Sequence, residues 1–309
     1  MLFRSAYQAV LKKATELGIG YSAGGRETLQ ELLARLGDKA PKTIVHLQES
    51  IDKYESSYRY GDEVKKHKQE IEDTMFDWLS RQDLGMNVNA RNLDAILNSW
   101  FKNTFETASS NGYLGSAGDL SVEQGGIPEY HSRLSASHEM FIGGSSYDSK
   151  HQLKRREYEK YGNLLNPDIL ASLEDNKADG YGEVLVRFKR SMVIATFTPC
   201  DSLNAGYQPT LVTDPKACSF DGSSLGRLPV NFQGTPSFDE LFNKCIRVYC
   251  ELQYHGDLTP DCVESIAFPY DLNDAKYAKE KSVALKWKAI GVTIYYRTGS
   301  WGNFKLNIL

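Results

Sequence analysis

From Arg247 to Gly256 apolar and polar side chains alternate: Val248, Cys250, Leu252 and Tyr254 against Tyr249, Glu251, Gln253 and His255. Successive side chains on a strand point to opposite faces, so the spacing predicts a strand with one apolar and one chemically loaded face. The loaded face is either an ordinary solvent face or a catalytic one, with Glu251 flanked at two and four residues by hydrogen-bonding neighbours. The same reading predicts strands over Glu183–Lys189, Val193–Thr198, Val263–Phe268 and Val292–Arg297. Helical spacing dominates the first hundred residues. Ile44, Leu47, Ile51 and Tyr54 form one stripe, and Ile71, Met75, Trp78 and Leu79 another. A third helix is expected over Ala90–Phe105, with Leu93, Ile96, Leu97, Trp100 and Phe101 inward and Asn89 as its N-cap. Shorter helical patterns cover Phe238–Lys244 and Ala275–Lys288.

Helices first and strands afterwards predict an α+β protein with a mostly antiparallel sheet. The expected division is a helical region over 1–90 and a β-rich domain over 91–309. From Ser109 to Gly144 the chain turns rich in Gly and Ser, and a long loop of that kind is usually functional when ordered. Its paired glycines do not follow a strand as G-x-G-x-x-G, and no Walker A motif occurs, so dinucleotide and nucleotide cradles of those types are excluded.

Composition narrows the partners. A hydrophobic share of 41% supports a packed core, and a net charge of −4 gives no reason to expect nucleic acid or an anionic membrane. No apolar run approaches the roughly 20 residues of a membrane span, and the N-terminus shows no signal-peptide core. The five cysteines are odd in number, form no C-x-x-C pair and all lie from Cys200 onward, which fits reduced thiols. Histidine spacing suggests no metal site, so none is expected.

Six separated motifs occur in order: F-E-T-A-S-S-N-G (Phe105–Gly112), F-I-G-G-S-S-Y-D (Phe141–Asp148), K-Y-G-N-L-L-N (Lys160–Asn166), A-T-F-T-P-C-D-S (Ala195–Ser202), Y-C-E-L-Q-Y-H-G (Tyr249–Gly256) and D-C-V-E-S-I (Asp261–Ile266). Together they resemble the CteC-like bacterial effector family, formerly a domain family of unknown function. The resemblance covers about residues 95–270. It departs at Cys200, where the family often has glycine, at Tyr158-Glu159-Lys160, and in the loop after Asn111.

The resemblance implies an ADP-ribosyltransferase-like core and mono-ADP-ribosylation of a host protein, with NAD as co-substrate and a threonine of ubiquitin as acceptor. It also implies a secreted effector acting in the host cytoplasm without a cleavable signal peptide. On this reading Glu251 is the carboxylate beside the ribose, with Gln253 and His255 on the same strand face. Thr196 and Thr198 form a hydroxyl-bearing strand that braces it, unless they are ordinary strand formers. Replacing both by Val is then expected to lower activity with little loss of stability. Phe105, Glu106, Thr107, Ser110, Asn111, Arg133 and Tyr147 are the remaining candidates for binding NAD, with Lys102 as a second possible cation. Glu106 and Glu139 are rival carboxylates. Two other functions fit the same chain: an NAD glycohydrolase, in which water replaces the protein acceptor, and a non-enzymatic protein that binds a partner through its helical region.

Overall fold

The computed structural model describes residues 27–45, 76, 79–80, 82–103, 106, 155–157, 159–165, 181–198, 210–211, 251–299 and 305–309. Nine strands among them form a single sheet: β1 (Asp83–Val88), β2 (Lys160–Leu165), β3 (Val184–Phe188), β4 (Ile194–Thr198), β5 (Thr210–Leu211), β6 (Glu251–His255), β7 (Val263–Phe268), β8 (Thr293–Thr298) and β9 (Lys305–Ile308). They lie side by side in the order β5-β4-β6-β2-β1-β3-β7-β8-β9. Pairing is antiparallel except between β7 and β8, which run parallel. Helix α3 (Ala278–Ala289) connects those two strands, as a parallel pair requires a crossover. The architecture is therefore mixed α+β with a mostly antiparallel sheet.

Alternation assigns the two faces of the sheet. On one, Leu84, Met86, Val88, Val186, Phe188, Phe197 and Leu252 all fall within 3% exposure and belong to one core cluster. Helix α2 (Leu93–Leu97) and α3 cover that face with Leu93, Ile96, Ala284 and Trp287. The buried indole of Trp287 donates from Nε1 to the Leu93 carbonyl at 3.1 Å, tying the two helices together. The opposite face carries the alternate residues and is far more polar.

The expected strands at 183–189, 193–198, 263–268 and 292–297 are present as β3, β4, β7 and β8. Of the strand expected from Arg247, Glu251–His255 is described as β6. Residues 42–45, 76 and 79–80 are helical, as their spacing predicts. The other residues of the two N-terminal stripes, the Ser109–Gly144 loop and the Phe238–Lys244 pattern lie outside the described residues.

Two findings differ from the sequence pattern. β1 falls within the region read as helical, yet it lies fifth of the nine strands, so the sheet draws on both sides of residue 90. Asp, Gly and Asn make D-L-G-M-N-V a poor strand by propensity, and pairing on both edges with β2 and β3 overrides that preference. The helix expected over Ala90–Phe105 is much shorter. Asn89 does cap its start, accepting from the Arg91 N–H at 3.2 Å, but the opening turn is 3-10 and α2 ends at Leu97. Asn98 and Ser99 there donate side-chain hydrogen bonds back to the Asp94 and Ala95 carbonyls. Phe101 then leaves the helix to bridge Leu258.

A glycine on β2 makes room for one close approach in this sheet. A Cβ on Gly162 would lie 2.2 Å from the Gly85 carbonyl oxygen and 2.6 Å from the Tyr254 ring. Its absence lets the buried Tyr254 cross β2 and donate its hydroxyl to that carbonyl at 3.0 Å. The Tyr254 ring also meets Phe188 edge-on, with centroids 4.9 Å apart, which anchors β6 in the core from its apolar side.

Candidate active site

With Leu252 and Tyr254 locked into the core, period two puts Glu251, Gln253 and His255 together on the other face of β6. Register supplies their neighbours. β4 places Thr198, Thr196 and Ile194 opposite Glu251, Gln253 and His255, while β2 places Asn163 and Tyr161 opposite Glu251 and Gln253. This is no solvent face: Glu251, Gln253 and His255 are 5%, 6% and 7% exposed, and Thr196 is fully buried.

Buried polar groups must find partners, and here they form one chain of hydrogen bonds. Gln253 Nε2 donates to Glu251 Oε1 at 2.8 Å. Thr196 Oγ1 donates to Gln253 Oε1 at 2.9 Å and lies 3.0 Å from His255 Nε2. The other ring nitrogen, His255 Nδ1, lies 2.9 Å from Thr43 Oγ1.

Proton inventory orients most of this chain. An amide oxygen carries no proton, so Thr196 must donate to Gln253. A hydroxyl has one proton, so Thr196 can only accept from His255 Nε2–H. A neutral His255 ring then accepts at Nδ1 from the Thr43 hydroxyl. With the ring neutral, all four bonds point the same way, from Thr43 toward the Glu251 carboxylate.

Neighbouring groups hold the end of β6. Gly256 takes a positive φ of 78° just after His255. Its carbonyl accepts from the buried Lys160 ammonium at 2.9 Å, and the Arg156 carbonyl lies 3.4 Å from the same nitrogen. Burial pulls the Lys160 pKa down, against the opposing pull of Glu106, Asp257 and Glu159. Arg156 in turn grips Asp257 with two bonds of 2.8 and 2.7 Å.

A second polar group lies further along the same face. Arg187 pairs with Asp83 at 3.2 Å and with Glu264 at 2.6 Å. Burial opposes the Arg187 charge, but the two carboxylates outweigh it and keep the guanidinium cationic. Burial also pushes the Asp83 carboxyl up, against the pull of Arg187 and Arg190. Arg187 is thus engaged by its own carboxylates.

Of the residues singled out in the sequence, Glu251, Gln253, His255 and Thr196 are brought into one connected group. Thr198 is the strand partner of Glu251. His255 has both ring nitrogens against threonine hydroxyls of the chain itself, which suits it to bracing the group. Glu106 is placed elsewhere: its carboxylate accepts from the Asn103 N–H and from Trp100 Nε1, both at 3.0 Å, while Asn103 Oδ1 accepts from the Glu106 N–H. This reciprocal pair has the form of a capping box. Lys102 lies 5.3 Å over the Trp100 ring. Phe105, Thr107, Ser110, Asn111, Arg133, Glu139 and Tyr147 lie outside the described residues.

Sequence reasoning missed Thr43, whose neighbours carry no motif, and missed β2 as a strand, although K-Y-G-N-L-L-N stood out as a motif. Among the described residues no group of three or more His, Cys, Asp and Glu is arranged to hold a metal ion, and no helix is long and apolar enough to cross a membrane. What the fold and the site define together is an α+β protein with a buried, directed polar chain ending on a carboxylate. No protein-family model, curated protein or solved structure matches the chain.

Proposed function

We propose that this protein is an NAD-dependent mono-ADP-ribosyltransferase that modifies a host protein, with a threonine of ubiquitin as its acceptor. The observation that supports it best is the Glu251 carboxylate, buried on a sheet face and aimed by Gln253, which Thr196 in turn orients. The acceptor, and the action of the protein as an injected effector, rest on the motif resemblance.

The donor set suits the ribose end of NAD. When bound, NAD supplies the ADP-ribosyl group and releases nicotinamide, with positive charge building on the ribose carbon as that bond breaks. In this reading the Glu251 carboxylate supplies a fixed negative charge for that moment, and its burial from water strengthens the effect. Gln253 keeps the carboxylate from turning, because its amide is itself pinned by the Thr196 hydroxyl. His255 completes the bracing from the far side of Thr196. Ser110, Asn111 and Arg133 are the groups this reading assigns to the diphosphate, since Arg187 on the described face is already paired.

The test is incubation of the purified protein with labelled NAD and either ubiquitin or cell lysate. A labelled ubiquitin band is expected. Free ADP-ribose alone would replace transfer with hydrolysis, and no NAD turnover would leave the non-enzymatic reading. In the same assay Glu251→Gln should lower turnover roughly a hundred- to thousandfold, the usual loss for one electrostatic stabiliser. The KM for NAD should change much less, because the charge matters chiefly once the bond is breaking. Near-normal turnover in Glu251→Gln would refute the assignment.

A further inference from the structure

We propose that Thr43 is a positioning residue of this site, through which the segment at residues 27–45 sets the Glu251 carboxylate by way of His255, Thr196 and Gln253. The proposal deepens the reading of Glu251 as the working carboxylate and rests on it. Thr43 and His255 lie 212 positions apart, yet their side chains meet at 2.9 Å with both residues buried.

The local structure holds Thr43 firmly. Residues 42–45 are helical, and the Pro41 carbonyl accepts from the N–H groups of Ile44 and Val45 at 2.9 and 3.1 Å. The next side chain, Ile44, is fully buried with Leu29 and Leu32 of helix α1 (Leu29–Leu36), and this cluster packs on Ile194 of β4. Ile194 is the register partner of His255. Pro41 comes within 3.2 Å of where a Cβ on Gly256 would stand, and Lys42 pairs with Glu157 at 3.1 Å. The segment therefore seals the His255 end of the polar face, and Thr43 is its polar contact with the chain of hydrogen bonds.

The chain has a consequence for the ring. Thr196 must give its only proton to Gln253, so it needs Nε2–H from His255. That tautomer leaves a lone pair on Nδ1, which the Thr43 hydroxyl satisfies. Without that hydroxyl the buried Nδ1 loses its donor, and nothing from Thr43 holds the ring in the plane that reaches Thr196. A ring that turns away, or moves its proton to Nδ1, withdraws the donor from Thr196. The disturbance then passes through Gln253 to the carboxylate.

The experiment compares full-length wild type with Thr43→Val, which keeps the branched shape, and Thr43→Ser, which keeps the hydroxyl. Thr43→Ala serves as a second deletion should the Val variant fold poorly. Histidine 15N spectra, with His255 assigned through a His255→Gln variant, read the tautomer directly. Wild type and Thr43→Ser are expected to show Nε2–H at His255, while Thr43→Val shows a mixed or exchange-broadened ring. In the turnover assay Thr43→Val should lower kcat about five- to tenfold, the scale of one lost neutral hydrogen bond, with the KM for NAD within about twofold. Thr43→Ser should restore kcat. An unchanged His255 spectrum in Thr43→Val overturns the proposal, as does a kcat loss that Thr43→Ser fails to restore. If wild type turns over no NAD while the His255 spectrum still follows Thr43, the bracing geometry stands and the assigned reaction falls.

Discussion

Thr196→Val probes the centre of the hydrogen-bonded chain. Valine keeps the branched shape and suits a strand, so packing on β4 should survive. What disappears is one hydroxyl that donates to Gln253 at 2.9 Å and faces His255 Nε2 at 3.0 Å. Each neutral hydrogen bond contributes about 1 kcal/mol net, and a buried group left without its partner costs about 1–3 kcal/mol. Gln253 Oε1 and His255 Nε2 both lose this partner in residues only 6% and 7% exposed. The apolar surface gained by the new methyl offsets about 0.8 kcal/mol. Thr196→Val should therefore destabilise the protein by about 2–4 kcal/mol, where the sequence pattern alone expects almost no loss. Urea unfolding followed by tryptophan fluorescence measures this. Thr196→Ser, which keeps the hydroxyl, should cost only about 1 kcal/mol. A larger loss in Thr196→Ser than in Thr196→Val would show that the methyl matters and the hydroxyl does not. A Val variant within about 0.5 kcal/mol of wild type would show that the chain contributes nothing to stability.

Tyr254→Phe removes the hydroxyl bonded to the Gly85 carbonyl and should cost about 1 kcal/mol near neutral pH. Burial holds the Tyr254 hydroxyl well above its usual range, against the pull of Arg190, so the folded state keeps a proton that the unfolded chain loses near pH 10. The folded state then binds more protons, and this residue's contribution to stability falls as pH rises past about 10. Urea unfolding at pH 8 and pH 11 should show the advantage of wild type over Tyr254→Phe shrinking or reversing; a constant difference would contradict the linkage. Gly162→Ala places a Cβ 2.2 Å from a backbone oxygen that cannot step aside, so a loss on the order of 3 kcal/mol is expected from overpacking. Gly85→Ala meets the Leu165 side chain, which can move, and should cost less; the reverse ranking in urea would refute the close-approach argument.

Much of the sheet was legible because alternation is a local property of the backbone. Leu252 and Tyr254 against Glu251, Gln253 and His255 follow from period two alone, as do Phe197 against Thr196 and the strands β3, β7 and β8. The coarse fold class followed from the order of helical and alternating segments. Other features depended on contacts far apart in the chain. β1 reads poorly as a strand, and only β2 and β3, closing on it from both sides, make it the middle of the sheet. Glu106 sits in a motif beside the expected loop, yet the positions of Asn103 and Trp100 turn its carboxylate into a cap. The polar row on β6 was compatible with solvent or with a site. Its His255 end is covered by the N-terminal segment, whose Leu29, Leu32 and Ile44 cluster packs on Ile194 and whose Thr43 reaches His255. The sequence by itself determined which side chains share a face, since covalent geometry enforces that alternation. Only tertiary structure decided what covers the face and which hydroxyl completes it, because those contacts join residues that nothing local brings together.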